Sequence, residues 1–299
     1  MKTKLVRLVL TAAYAVALPG FLGAQPAPMY SPHYVPGVEG IKGSSLPPPG
    51  VYFRDYNVFY TSSRVNDAAG HNAGPPNFDA NVYANVPRLI WITDKQLLGG
   101  FVGVDALLPL VYTSVKYTGK DASTFGIGDF FAESTLSWHI TKFDFSAGAG
   151  SWMPTGDSGP GSTRAGLGFW SPMLTAGATW YVDQGKTWAV SALSRYEFAT
   201  ESRDTHITPG QAYTLEWGVS KTLAKIWDVG AVGYFQQQVT KDSGTGADPA
   251  RDQIAAAGPE ISVAFPKQMF FVSLRYLYEF SAKDRPQGHT VALTFTKRL

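Results

Sequence analysis

The 299-residue chain contains no cysteine. That excludes a disulfide-stapled secreted scaffold and any thiolate metal site. Nor does it contain, after its first residues, a run of about 18 consecutive apolar residues, the length a helix needs to cross a bilayer. Charge of one sign is also missing: the net charge is only +2, so there is no polybasic arm and no electrostatic footprint for nucleic acid. Mean hydropathy is −0.07, almost neutral. A chain whose residues alternate between an apolar and an aqueous surroundings would average to such a value.

What is present begins with an export signal. Lys2, Lys4 and Arg7 form a basic start, Leu8 to Leu18 an apolar stretch, and Pro19 to Ala24 a small-residue zone in which Ala24 is the expected last residue removed. The apolar stretch is too short for an anchor. Residues 25–50 are rich in Pro, Gly and Ser and read as a periplasmic lead-in or a partial plug, because Pro blocks a central strand. Residues 51–299 form the third region.

Twelve β-like stretches follow, near 51–61, 80–93, 98–110, 126–140, 143–153, 170–182, 187–199, 211–222, 226–240, 254–265, 269–281 and 288–297. Period-2 alternation supports them. Val291, Leu293 and Phe295 alternate with Thr290, Ala292, Thr294 and Thr296, and Val272, Leu274, Tyr276, Tyr278 and Phe280 with Ser273, Arg275 and Glu279. The first stretch is ambiguous because Arg54 and Asp55 are adjacent. Short connections at 93–96, 141–142, 183–186, 223–225 and 266–268 alternate with long ones at 62–79, 111–125, 154–169, 200–210 and 241–253 and a smaller one at 282–287. An even strand count with alternating short and long connections is the signature of an all-β, antiparallel transmembrane β-barrel. The expectation is an outer-membrane barrel of a Gram-negative bacterium with both mature termini in the periplasm. Trp91, Trp138, Trp180, Trp188 and Trp227 fall near short turns and Trp152 and Trp170 beside a long loop, as a double aromatic girdle would require; Trp217 alone lies mid-strand.

Twelve strands fall between a barrel that fills its own interior and an open porin, so a narrow or partly occluded lumen is expected. The polar face would line it with Asp129, Glu133, Arg195, Glu197, Glu216, Gln236, Gln238, Arg275 and Glu279. Opposed charges of this kind either orient permeants in a constriction or pair off as a structural network.

Catalytic and metal readings are thin. Glu201 to His206 gives the one local Ser/Asp/His cluster, Ser202, Asp204 and His206, but such neighbours usually make turn hydrogen bonds. His139 is the other histidine an outer-membrane hydrolase could use. The acidic loop from Asp242 through Asp248 to Asp252 lacks calcium-loop spacing. Gly126 and Gly128 before Asp129 look like half a phosphate loop without its Lys and helix, and read as close strand packing or a bulge. No cofactor is expected.

Short strings resemble a family of Gram-negative outer-membrane proteins, often labelled as transporters associated with the meta-cleavage pathway of phenol degradation. They are HYVPG at 33–37, GDF at 128–130, WMPTGD at 152–157, YEF at 196–198 with Asp204-Thr205 and Pro209-Gly210, GYFQQQ at 233–238 followed by DSG at 242–244, GPE at 258–260, and YEFSAKDRPQG at 278–288. The resemblance implies a barrel that admits small hydrophobic, often aromatic, compounds, with no established catalytic residues. One departure is the C-terminus: such barrels commonly end in an aromatic residue read by the assembly machinery, whereas this chain ends at Leu299, with Phe295 as a substitute. The expected partners are outer-membrane lipid and lipopolysaccharide, a small hydrophobic or aromatic permeant and the barrel-assembly machinery, with no nucleic acid. A closed barrel has no free edge, so a monomer is expected. The competing readings are a blocked structural or partner-binding barrel and a hydrolase.

Overall fold

A computed structural model describes residues 32–159 and 163–299. The export signal, with its cleavage position at Ala24, lies outside the described residues. Fourteen strand segments occupy twelve positions around a closed antiparallel wall. They are β1 (Gly50–Val65), β2 (Asp79–Leu97), β3 (Gly100–Leu107), β4 (Leu110–Tyr117), β5 (Lys120–Ile127), β6 (Phe130–His139), β7 (Phe143–Met153), β8 (Ser171–Tyr181), β9 (Trp188–Glu197), β10 (Ala212–Leu223), β11 (Trp227–Gln238), β12 (Gln253–Phe265), β13 (Phe270–Lys283) and β14 (Pro286–Arg298). Wall positions follow one another in sequence order, and β1 closes the wall by pairing with both β14 and β2.

Two positions are each filled by two segments. Both β3 and β4 pair with β2, with Leu108 and Pro109 between them. On the next position β6 pairs with β3 and β5 with β4, broken at Gly128-Asp129. Pro109 and Gly128 interrupt the ladder because one lacks an N–H and the other adds no side chain to pack. The stretch 111–125, expected to be a loop, is therefore a β-hairpin turned at Thr118-Gly119, which carries the wall outward. Its Thr, Ser and Lys content disguised an alternating strand. A smaller shift concerns the first short turn: β2 runs to Leu97 and reverses at Leu98-Gly99, both at positive φ, later than the 93–96 expected.

Alternation sets the two faces. Exposed Leu174, Val190, Trp217, Val229, Ile261 and Leu274 point outward, while buried polar side chains, among them Glu133, Arg195, Glu216 and Arg275, point inward. On β1 the ambiguity resolves as Tyr52, Arg54, Tyr56 and Val58 inward and Phe53, Asp55, Asn57 and Phe59 outward. All turns between β2 and β3, β6 and β7, β8 and β9, β10 and β11, and β12 and β13 lie at the end where β1 starts and β14 stops.

Residues 32–49 run inside this wall. They start at the loop end, where the His33 N–H donates to Glu197, the last residue of β9. They descend past Glu216 and Glu260 and finish at the turn end, where Arg298 donates to the Pro49 carbonyl. Residues 25–50 read in sequence as a periplasmic lead-in or a partial plug; residues 32–36 reach the outer half of the lumen.

Candidate functional site: the lumen and its internal segment

A chain threading a lumen has no ladder to satisfy its backbone, so each N–H needs a partner or must be absent. Pro32, Pro36, Pro47, Pro48 and Pro49 carry no N–H. The wall supplies carboxylates for several of the rest. Glu197 accepts from the N–H groups of His33 at 2.7 Å and Tyr34 at 3.1 Å. Glu216 accepts from those of Gly37 at 2.8 Å and Glu39 at 3.1 Å, and also from the Tyr34 hydroxyl. Glu260 accepts from that of Ile41 at 2.9 Å. Arg275 donates to the Gly37 carbonyl at 2.9 Å, Gln236 to the Tyr34 carbonyl at 2.9 Å, and Lys42 reaches Asp228 at 2.9 Å.

Gly37 and Gly40 have φ of +87° and +67°. A Cβ at Gly40 would lie 2.1 Å from Glu260 Oε2, and one at Gly37 2.5 Å from Leu277. Only glycine fits both the conformation and the space.

Midway along the segment, Glu39 meets three guanidinium groups: Arg88 at 2.8 Å, Arg54 at 3.0 Å and Arg195 at 3.4 Å. Arg88 continues to Asp105 at 2.9 Å and lies 3.8 Å from Glu133, while Arg195 sits over the Tyr34 ring at 4.1 Å. Buried charges persist only when paired, and this cluster pairs them within one connected group. Arg195 Nε and Nη1 nevertheless have no hydrogen-bond partner among the described residues.

The cluster separates two cavities of about 350 Å³ each. Glu39, Tyr56, Arg88 and Arg195 line both. The outer one is otherwise largely apolar, with Val58, Val86, Leu107, Phe131 and Met173, and it reaches solvent at the exposed Val35. The inner one is more polar, with Lys42, Asp228, Ser146, Thr175 and Thr294 beside Leu46 and Ile90.

The expected lumen residues divide by what they touch. Glu197, Glu216, Gln236 and Arg275 hold the internal segment, and Arg195 and Glu133 join the Glu39 cluster. Glu279 accepts from Tyr234 at 2.7 Å and Tyr60 at 3.1 Å, tying wall strands to each other. Gln238 turns toward the loops, donating to Asp242 at 2.6 Å. Asp242 also accepts the Gly210 N–H at 2.7 Å, so it braces two loops, and burial pushes its carboxyl above the usual range. Asp129, at the break between β5 and β6, bonds the His33 ring at 2.9 Å and the N–H groups of Gly156 and Leu167.

Sequence reasoning missed Glu39, Arg54, Arg88, Asp105, Glu260 and the role of Tyr34. Arg88 and Asp105 occupy inward positions of alternating strands and were within reach of the pattern. Glu39 sits in an irregular segment without periodicity.

Among the expected girdle residues, Trp91, Trp170, Trp180, Trp188 and Trp227 are exposed, and Trp138 donates its indole N–H to the Leu98 carbonyl. Trp152 is a correction: it is buried and stacks on the His33 ring, with centroids 5.4 Å apart, and packs on Phe131. In β7, Trp152 is an even-numbered, inward position, so alternation outweighs its place beside a loop.

The Ser/Asp/His cluster does not assemble as a relay. His206 Nδ1 lies 2.9 Å from Glu201, Asp204 is 3.9 Å from Arg203, and Ser202 is fully buried. His139 pairs with Asp144 at 3.0 Å, which in turn accepts from Tyr181 at 2.7 Å.

An antiparallel closed barrel with an apolar outer wall and a charged interior is a protein of the outer-membrane β-barrel class. Over residues 62–295 the chain matches the family described as "Putative MetA-pathway of phenol degradation", and it belongs to that family. It is similar to an outer-membrane channel from Pseudomonas putida F1, with 14% identity and a TM-score of 0.76, covering 89% of this chain and all of that one. It is also similar to the β domain of the Bordetella autotransporter BrkA, with 11% identity and a TM-score of 0.51, covering 84% of this chain and 99% of that one. No curated protein matches it.

Proposed function

We propose that the protein is an outer-membrane channel for passive uptake of small hydrophobic or aromatic compounds. The observation that carries this reading is the apolar outer cavity resting on the Glu39–arginine cluster. Its volume sits at the lower end of the range for small-molecule pockets, about 300–1,000 Å³. A permeant would leave water for the apolar cavity, then pass the cluster into the more polar inner cavity. Arg195 lines both cavities, and its guanidinium can donate to a hydroxyl or carboxylate oxygen of the permeant. Residues 32–49 act as a partial plug whose displacement opens the path.

On this reading the chain is exported with cleavage near Ala24, inserted by the barrel-assembly machinery and surrounded by lipid and lipopolysaccharide. It carries out no catalysis and needs no cofactor. The similar outer-membrane channel from Pseudomonas putida F1 supports the class, and the family description supports the aromatic permeant.

A second reading is favoured by the dense bonding of the internal segment to Glu197, Glu216 and Glu260: a permanently blocked barrel with a structural or partner-binding role. Mature protein in liposomes separates the two. Faster uptake of toluene or phenol than of a similar-sized sugar is expected, and no uptake of either would favour the blocked barrel.

A further inference from the structure

The outward positions of the wall are apolar or aromatic over most of its circumference, as at Leu174, Val190, Val219, Val229, Ile261 and Leu274. One sector departs from this. Asp55 and Asn57 on β1 face outward, and the register sets them opposite Pro87 and Asn85 of β2, with Tyr83 next along. Asn57 and Asn85 both donate to Asp55, at 2.9 and 2.8 Å. Asn85 also donates to Asn57 at 3.2 Å, and the Tyr83 hydroxyl does so at 2.8 Å.

This polar group is not at the rim of the barrel. Along β1 it is bracketed by exposed Phe53 and Phe59, and on β2 exposed Leu89 and Trp91 lie on its turn side. Arg54, its nearest neighbour in sequence, points inward to Glu39, and no ion pair found among the described residues neutralises Asp55. A carboxylate and two carboxamides therefore sit inside the apolar band of a membrane wall. Hydrocarbon offers neither donor nor acceptor, and Val or Leu at these positions would fit the strand equally well. The group is also incomplete: Asn57 spends one of its two amide N–H groups on Asp55, and Asn85 Oδ1 accepts no hydrogen bond from the described residues.

We propose that a second copy of this chain covers the patch, forming a dimer about a two-fold axis along the membrane normal. A two-fold contact sets the same surface against itself, so it must be self-complementary. Carboxamides meet that demand because each carries both a donor and an acceptor. The spare N–H of Asn57 and the spare carbonyl of Asn85 in one copy find their counterparts in the other, and the Asp55 carboxylate leaves lipid for an amide-lined contact. Phe53, Phe59 and Tyr83 pack around it. Closure of the barrel satisfies the backbone edges but leaves one Asn57 N–H and Asn85 Oδ1 without a partner among the described residues, which is why a closed barrel here need not be a monomer.

The test uses the absence of native cysteine. Phe59→Cys, beside the patch, and Leu174→Cys, on a distant part of the wall, are placed singly in the full chain and exposed to a short bis-maleimide in native outer membranes. A covalent dimer is expected for Phe59→Cys alone, and equal or no cross-linking of both overturns the proposal. Light scattering of the purified protein in mild detergent gives the second readout. The wild type is expected at twice the chain mass and the triple variant D55L/N57L/N85L at the chain mass, with folding checked by heat-modifiable gel mobility. A monomeric wild type whose aromatic uptake falls in the triple variant also overturns the dimer and assigns the patch to a path through the wall.

Discussion

Glu39 and Arg88 meet at 2.8 Å inside the barrel, a residue of the irregular internal segment bonded to a residue of the wall. Arg54 and Arg195 complete the contact, and Glu39, Arg88 and Arg195 line both the outer and the inner cavity as their common boundary. The same carboxylate thus anchors the segment and divides the lumen. Glu39→Gln removes the anion and leaves three buried guanidinium groups short of charge. Loss of one partner of a buried ion pair costs about 3–5 kcal/mol. The expected outcome is a lower melting temperature together with higher conductance in planar bilayers; an unchanged melt with unchanged conductance would show that the cluster neither holds nor gates.

Gly40→Ala tests the seat of the segment apart from its charge. The added methyl would meet Glu260 and Arg275, so residues around it must move while the wall strands stay paired. Trypsin should then cut at Lys42, which in the wild type is tied to Asp228. Digestion followed by mass spectrometry reads this directly, and a variant as resistant as the wild type would refute it.

Arg195→Met keeps an unbranched apolar stem and removes the unpartnered Nε and Nη1 donors along with the link to Glu39, which retains Arg54 and Arg88. Passage of phenol should slow relative to toluene in liposomes, because phenol carries a hydroxyl where toluene carries a methyl. If the ratio stays at its wild-type value, Arg195 does not contact the permeant.

His206→Ala should change neither uptake nor stability beyond about 0.5 kcal/mol, the usual range for exposed sites away from special contacts. The His206 ring is exposed and bonded to Glu201 rather than to Ser202 or Asp204. An ester-hydrolysis assay on wild type and variant checks the hydrolase alternative: activity lost in the variant would revive it.

Asp183 lies in the turn between β8 and β9. Its carboxylate accepts from the N–H groups of Trp188 and Thr187 and from the Thr187 hydroxyl, which hold its pKa at about 2. A depressed value in the folded state means the stabilisation is present at pH 7 and disappears as pH falls through about 2. Asp183→Asn should therefore melt slightly below the wild type at neutral pH and alongside it in strong acid. A gap that persists at the lowest pH would trace the effect to something other than ionisation.

Most of the wall was legible in the sequence because its information is local. Alternation of Val272, Leu274 and Tyr276 with Ser273 and Arg275 fixes which side chains share a face, and the sorting of short from long connections fixes which strand ends share a side of the membrane. Where local cues conflicted, reading failed in understandable ways. The stretch 111–125 is polar enough to pass for a loop although it pairs as a hairpin, and Trp152 stands beside a loop although its strand turns it inward.

The interior was decided by tertiary structure. His33 and Glu197 are 164 residues apart, and Gly37 and Arg275 are 238 apart. Nothing periodic marks residues 32–49, so composition alone left open whether they lie below the barrel or within it. Only closure of the wall creates a lumen with carboxylates spaced to take the segment's N–H groups and arginines placed to take Glu39. The same closure assigns Arg54 to the inside and Asp55 to the outer face, a distinction that two adjacent charges in a sequence do not make. The chain's covalent order therefore determines the faces of each strand. Which faces enclose the internal segment, and which polar group is turned to the outside, follow from how twelve wall positions close on one another.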